Sequence, residues 1–169
     1  SPERFLRVEE RHVLSEPMKG TAPRGRTPKE DRRMKRALAS SEKNRAENLM
    51  ICDLVRNDLG RVCVPGSVRV SRLFHVDAYR TLHQMISCVE GNLAPRKNAW
   101  DALAALFPPG SMTGAPKIRA ASLIEGLEPV KRGLYAGALG YMDFRGNSEW
   151  SVVIRTLIAR GGRGFYHTG

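Results

Sequence analysis

Residues 32–57 carry an apolar pattern that a long helix satisfies and a strand does not. Leu38, Ala46, Leu49, Met50 and Leu54 fall mostly at helical spacing, and Gly60 is a natural stop. The preceding stretch, GTAPRGRTPKED (20–31), mixes glycines, prolines and charges and reads as a loop. Beyond the helix the apolar runs shorten. Residues 62–70 alternate around Pro65-Gly66 as short strands would, 73–76 reads as another strand, and 82–89 is a further apolar stretch. A short helix spans 99–107, where Pro108-Pro109-Gly110 must end it. Pro116 suits the first turn of a new helix running to about Gly126. Residues 134–144 and 150–159 read as strands separated by Arg145-Gly146-Asn147, and 164–167 begins a third.

At 169 residues the chain has room for one domain with a substantial core. No apolar run approaches the length of a membrane span, and residues 1–11 lack the apolar segment of a signal peptide. A cytoplasmic chain with no membrane partner is therefore expected. Cys52, Cys63 and Cys88 are too few and too widely spaced for a zinc site, so reduced, buried thiols are expected. The net charge of +11 raises a nucleic-acid or acidic-substrate reading, but +6 of it lies in residues 1–45. The densest basic stretch, 19–36, has little aromatic material for base stacking, and no nucleic-acid-binding signature accompanies it. It reads as a basic loop near an anionic ligand or as solvated surface, and no nucleic-acid partner is expected.

Four features invite a chemical reading, each with a structural alternative. Arg155 lies in SVVIRTLI (151–158), the profile of a buried strand, where a guanidinium needs a carboxylate or phosphate; an edge-strand arginine facing water is the equal alternative. GSMTGAPK (110–117) puts small hydroxyl residues and glycines before a helix N-terminus, an anion-binding arrangement. Its spacing is wrong for a phosphate loop, and a plain helix start explains it as well. Glu47, beside Leu49, Met50 and Ile51, wants a cation: a metal, or a neighbour such as Arg45 or Arg56. Lys19 is either a surface lysine or a nucleophile of depressed pKa.

Six blocks decide among these readings: PMKGTAPRG (17–25), RAENLMICDLVRNDLGRVCVPGSVRV (45–70), HQMISCVEGNL (83–93), FPPGSMTGAPKIRA (107–120), LYAGALGYMDF (134–144) and VVIRT (152–156). In this order they resemble the chorismate-binding family, which includes anthranilate, aminodeoxychorismate, isochorismate and salicylate synthases. The resemblance covers nearly the whole chain. It implies an α+β fold, part of an antiparallel β-sandwich with helices packed outside, and residues 1–169 as a partial chorismate-binding domain.

The same resemblance implies roles. Lys19 matches the lysine of a PIKGT-like motif in aminodeoxychorismate synthases, a covalent nucleophile toward chorismate carbon 2, where anthranilate synthases usually carry alanine. Glu3, in SPERF, matches a general acid/base, and His83 the family's active-site histidine. Thr113 and Gly114 match a substrate-binding turn, and Tyr135 and Arg155 match side chains that hold a chorismate carboxylate. Glu47 matches a ligand of Mg²⁺. The reaction implied is amination of chorismate with ammonia from a glutamine amidotransferase partner. Anthranilate synthesis, or a non-catalytic basic fragment, are the rival expectations. Asn44, Pro109 and Ser148-Glu149 depart from the family pattern, the first at a position usually acidic. The resemblance also implies that relatives continue past Gly169 with a glycine-rich substrate-binding turn and a further metal-binding glutamate, and that strands precede SPERF. Exposed sheet edges, self-association and an inactive fragment are expected on that basis.

Overall fold

The computed structural model describes residues 3–167. Strands β1 (Arg4–Glu9) and β2 (His12–Ser15) form a hairpin, and β3 (Met18–Pro23) resumes the line of β2 after Pro17, which offers no N–H to a sheet. Helices α1 (Pro28–Ser40) and α2 (Glu42–Gly60) precede β4 (Arg69–Ala78) and β5 (Leu82–Asn92). Then come α3 (Ala99–Leu106), a 3-10 turn (Gly110–Met112), α4 (Lys117–Leu127), β6 (Ala138–Met142) and β7 (Ser148–Val152). Strands β8 (Leu157–Arg160) and β9 (Arg163–Tyr166) form a separate two-stranded ribbon.

The seven strands β1–β7 make one antiparallel sheet. β4 takes one edge of β5 along its length. β2 and β3 share the other edge, with His12 opposite Asn92 and Pro23 opposite Leu82. β2 pairs with β1, β1 with β7, and β7 with β6. The architecture is α+β, as expected. Among the described residues the only second sheet is the ribbon β8–β9.

Alternation along β5 sorts the two faces of the sheet. His83, Met85, Ser87 and Val89 turn toward the helices: His83 meets Asp31 of α1, Met85 packs with Leu38, and Ser87 bonds Asn48 of α2. Gln84, Cys88 and Glu90 point the other way and engage Thr21, Glu16 and Arg69. The main core lies on the helical face. Ile51, Val55 and Leu59 of α2 and Ala102 and Leu106 of α3 close on Phe5, Leu6, Val8, Val13 and Val152. Each such aliphatic side chain contributes roughly 1.5–3 kcal/mol by leaving water.

Three expectations are corrected by local geometry. The single helix over 32–57 is two helices, broken at Ser41. The Ser41 N–H still reaches the Leu38 carbonyl (3.2 Å), but its side chain accepts from the Asn44 N–H and restarts the helix. The loop over 20–31 shrinks to 24–27, because β3 runs to Pro23 and α1 starts at Pro28. The Thr27 hydroxyl caps that start by accepting from the Glu30 N–H (3.2 Å). The strand over 150–159 stops at Val152. There the Ile154 N–H turns back to the Val152 carbonyl (3.0 Å), Arg155 takes φ +52°, and the chain leaves the sheet before β8. Arg155 is thus exposed and off any strand.

Residues 73–76 lie within β4, and the strand read over 62–70 reduces to a bridge between Cys63 and Leu93 before β4 begins. The three cysteines are free and buried, and burial pushes the Cys63 thiol up to about 11. Among the described residues β3, β4 and β6 each leave an edge of the large sheet open, and α4 buries none of its side chains. Ile118, Leu127, Leu139 and Tyr141 stand exposed. Gly169 lies outside the described residues.

Candidate active site

A cleft of about 370 Å³ opens where β1 and β3 begin, and the 3-10 turn, the segment before β6 and the segment after β7 close around it. That size suits a small organic molecule. Glu3, Lys19, Ser111, Tyr135 and Arg155 line it, with Thr21 and Gln84 on the sheet floor and Tyr166 and His167 at the far wall. Sheet pairing brings these distant residues together: β1 joins β7 beside Glu3, and β3 carries Lys19 alongside β5.

Glu3 is buried, and burial raises its pKa above the ordinary 4.5. Hydrogen bonds from the Ser111 side chain and the Met18 backbone, with the charges of Lys19 and Arg155, oppose the rise without cancelling it. Lys19 Nζ donates to the Ser111 carbonyl at 3.4 Å. Arg155 forms no ion pair with a carboxylate among the described residues. Tyr135 is held between His167, at 5.4 Å between ring centroids, and the guanidinium of Arg132, 5.7 Å from its ring. The cleft therefore presents two cations, one reluctant carboxyl and an aromatic wall. It can attract an anion, and it holds an amine near a buried carboxyl whose pKa is raised.

The remaining predicted residues fall elsewhere. Thr113 and Gly114 follow the lining residues Ser111 and Met112 but do not line the cleft themselves. The Thr113 hydroxyl is spent on the Pro109 carbonyl (3.1 Å), and Gly114 takes φ +149°. His83 is 1% exposed on the opposite face of β5 from Gln84, with Nε2 2.9 Å from Asp31 Oδ1. Its Nδ1 has no partner among the described residues. Lys117 of the GAPK segment reaches the Asp58 carboxylate and the Leu106 carbonyl, pinning α4 to the end of α2 rather than lining the cleft.

Glu47 is half exposed on α2, 4.0 Å from Lys43, so neither Arg45 nor Arg56 is its partner. No group of three or more His, Cys, Asp or Glu side chains able to hold a metal occurs among the described residues. A single carboxylate beside an ammonium does not make a Mg²⁺ donor set. Ser111, Thr21 and Gln84 are lining residues that sequence reasoning passed over. Their signals were in the quoted blocks: Ser111 is the first hydroxyl of GSMTGAPK, Thr21 lies two residues beyond Lys19, and Gln84 follows His83 on a strand whose neighbours must face opposite ways.

The family model for chorismate binding enzymes matches residues 1–169. The chain belongs to the chorismate-binding enzyme family. It is 52% identical over its whole length to an aminodeoxychorismate synthase of Streptomyces griseus and covers 24% of that protein. It is 46% identical, again over its whole length, to anthranilate synthase component 1 of Mycolicibacterium smegmatis, covering 32% of it. The crystal structure of anthranilate synthase component I from Streptococcus pneumoniae superposes with a TM-score of 0.87 at 39% identity, over 97% of this chain and 36% of that one. The chain thus spans between a quarter and about a third of these family members. No described helix is long and apolar enough to cross a membrane.

Proposed function

We propose that this cleft is the chorismate site of an aminodeoxychorismate synthase, which replaces the C4 hydroxyl of chorismate by an amino group on the way to 4-aminobenzoate and folate. The observation that carries the reading is Lys19 itself, lining the cleft within electrostatic reach of Glu3 and beside Arg155. Chorismate is a dicarboxylate, and Arg155, with no carboxylate partner among the described residues, supplies the fork that binds one of them. Tyr135 flanks it.

In the proposed reaction the Lys19 ammonium first gives a proton to solvent, its nitrogen forms a bond to C2, the two ring double bonds shift, and the C4–O bond breaks. Glu3, kept protonated by burial to higher pH than an ordinary carboxyl, gives the departing hydroxide its proton. Ammonia then bonds to C4, the double bonds shift back, and the C2–N bond to Lys19 breaks. The surplus proton on the new amine returns to Glu3. One water leaves for each ammonia that enters, which makes the chemistry that of an amino-group transferase rather than a hydrolase.

Ammonia from a glutamine amidotransferase belongs to the same proposal. The designation "component 1" of the Mycolicibacterium relative supports a second subunit. Mg²⁺ and a cytoplasmic setting are likewise proposals. The second reading, anthranilate synthesis, is favoured by the 46% identity to that relative and opposed by Lys19. The test supplies chorismate, ammonium and Mg²⁺ to this chain and to a chimera carrying the flanking segments of the Streptomyces relative. Aminodeoxychorismate from the chimera, lost in Lys19→Ala, supports the proposal. Anthranilate as the product makes the second reading correct.

A further inference from the structure

Strand β3 does not pair evenly with β5. Met18 lies opposite Ile86 and Thr21 opposite Gln84, so two residues of β3, Lys19 and Gly20, face the single Met85. That two-against-one count is a β-bulge, and Gly20 takes the positive φ, +87°, that such a bulge places on glycine. Opposed residues of an antiparallel pair share a face. Met85 turns toward the helices and packs with Leu38, so an unbulged residue opposite it would turn the same way. Lys19 instead lines the cleft, with its Nζ 3.4 Å from the Ser111 carbonyl oxygen. We propose that the Lys19–Gly20 bulge is what aims the lysine into the cleft, and that Asn44 of α2 is the positioning residue that holds the bulge in register. Its consequence for turnover rests on the reading of the cleft as an amination site.

Asn44 occupies the place that a helix-facing side chain would take. A Cβ at Gly20 would lie 2.9 Å from both the Cβ and the Cγ of Asn44 and 3.0 Å from its Oδ1. Carbon atoms prefer about 3.5–4.0 Å. Asn44 is itself held: its Nδ2 donates to the Ser41 hydroxyl at 2.9 Å, within the cap that starts α2. The next residue, Arg45, places its guanidinium 4.8 Å over the Phe74 ring on β4. From the cleft side, Gln84 Nε2 donates to the Gly20 carbonyl at 2.9 Å. The bulge is thereby closed from both faces. No side chain fits at position 20, and Lys19 has no helix-facing place to occupy while Asn44 fills it. A slip of β3 by one residue would exchange those places, because neighbours on a strand face opposite ways. Lys19 would then meet Met85 and Leu38 rather than Ser111.

The experiment compares deletion of Gly20, Asn44→Ala and Asn44→Asp. Aspartate keeps atoms in all three places that crowd Gly20, whereas alanine keeps only the Cβ. The readout in this chain is the set of NOE contacts of the Lys19 ε-methylene, its resonance assigned by loss in Lys19→Arg. The unaltered protein is expected to show contacts to Ser111 and none to the Met85 methyl. Deleting Gly20 is expected to replace the Ser111 contacts by Met85 contacts, Asn44→Ala to weaken the Ser111 contacts, and Asn44→Asp to leave them in place. In the active chimera, the deletion is expected to lower kcat about 100-fold or more and Asn44→Ala about tenfold. KM for chorismate is expected to stay within about twofold, and Asn44→Asp to keep kcat. A folded deletion variant that retains the Lys19–Ser111 contacts overturns the proposal. Should the deletion prevent folding, the Asn44 pair decides: contacts unchanged in Asn44→Ala, or lost equally in alanine and aspartate, overturn it. The NOE measurement needs no substrate. Contacts that shift as expected beside a chimera that makes anthranilate defeat the functional reading and leave the role of the bulge standing.

Discussion

Gly110→Ala is the substitution whose effect can be worked out most directly from the packing. An added Cβ at Gly110 would lie 2.5 Å from Leu54 Cδ2 and 3.3 Å from Leu54 Cγ, while the Leu54 Cβ stays at an ordinary 3.9 Å. Carbon atoms prefer about 3.5–4.0 Å, so the closest pair is about 1 Å too near. Either Leu54 leaves its rotamer or the 3-10 turn shifts, and the turn is pinned by Pro109, Thr113 and Arg132. Overpacking of this kind costs about 1–3 kcal/mol. For a chain of this length that lowers Tm by about 2–12 °C. Leu54→Ala removes the two clashing atoms, so Gly110→Ala is expected to be nearly neutral in that background. The double-mutant cycle, read by chemical denaturation of the four proteins, is expected to show a coupling of about 1 kcal/mol or more. Strict additivity of the two changes would mean that Gly110 and Leu54 do not touch as described. In the chimera, because Ser111 of the cleft lining follows Gly110, the single variant is also expected to lose turnover that the double variant partly regains.

Three further outcomes follow from individual contacts. Lys117→Met leaves the buried Asp58 with only the exposed Arg61 side chain, and is expected to cost about 3 kcal/mol or more in urea denaturation; a loss under about 1 kcal/mol would show the pair to be dispensable. Glu3→Gln is expected to raise Tm at neutral pH. A carboxyl whose pKa rises on folding is neutral in both states below its ordinary 4.5; the penalty on the fold grows as pH climbs from there and is complete above the raised value, so the gain should vanish near pH 4, and a gain independent of pH refutes this. Asp31→Asn should act with the opposite sign. The Arg24 guanidinium, then the Gly25 N–H and His83, hold Asp31 well below its ordinary 3.8. The stability this supplies is present above that value and drains away as pH falls toward the folded value, so the Tm gap between wild type and variant should close in strong acid and not elsewhere.

What the sequence exposed, and what it hid, divides by the range of the interactions involved. Local chemistry was legible: α3 was anticipated at 99–107 and is found at Ala99–Leu106, with Asn98 and Asp101 forming a reciprocal cap at its start. The apolar stretch over 82–89 became β5, and Glu3, Lys19, Tyr135 and Arg155 do meet around one cleft. The break at Ser41 was hidden because leucine and alanine keep helical spacing on both sides of it, and only the Ser41 side chain restarts the ladder. The end of β7 was hidden for a different reason. Val152, Val153 and Ile154 have strong strand propensity, but Val153 exchanges hydrogen bonds with Ala136 and Gly137, and those partners bend the chain into the positive φ of Arg155. Ser111 was missed in favour of Thr113 and Gly114, since the register of a 3-10 turn decides which hydroxyl faces a cleft.

Two neighbours on β5 show how one strand can serve the site from both of its faces. Gln84 lines the cleft, accepting from the Thr21 hydroxyl at 2.9 Å and donating to the Gly20 carbonyl at 2.9 Å, and so grips the residues that follow Lys19. His83 points the opposite way and bonds Asp31, which also accepts from Arg24 and from the Gly25 N–H. That cluster folds the 24–27 loop back onto the first turn of α1 and fixes the end of β3 from behind. Lys19 thus lies on a strand clamped on the cleft side by an amide and on the helix side by an imidazole–carboxylate pair. An imidazole 1% exposed and bonded to Asp31 across the sheet from the cleft can bear on the proposed reaction only through the position of Lys19. Its removal and that of Gln84 should then produce the same kind of defect, a displaced β3, despite the chemical difference between the two side chains.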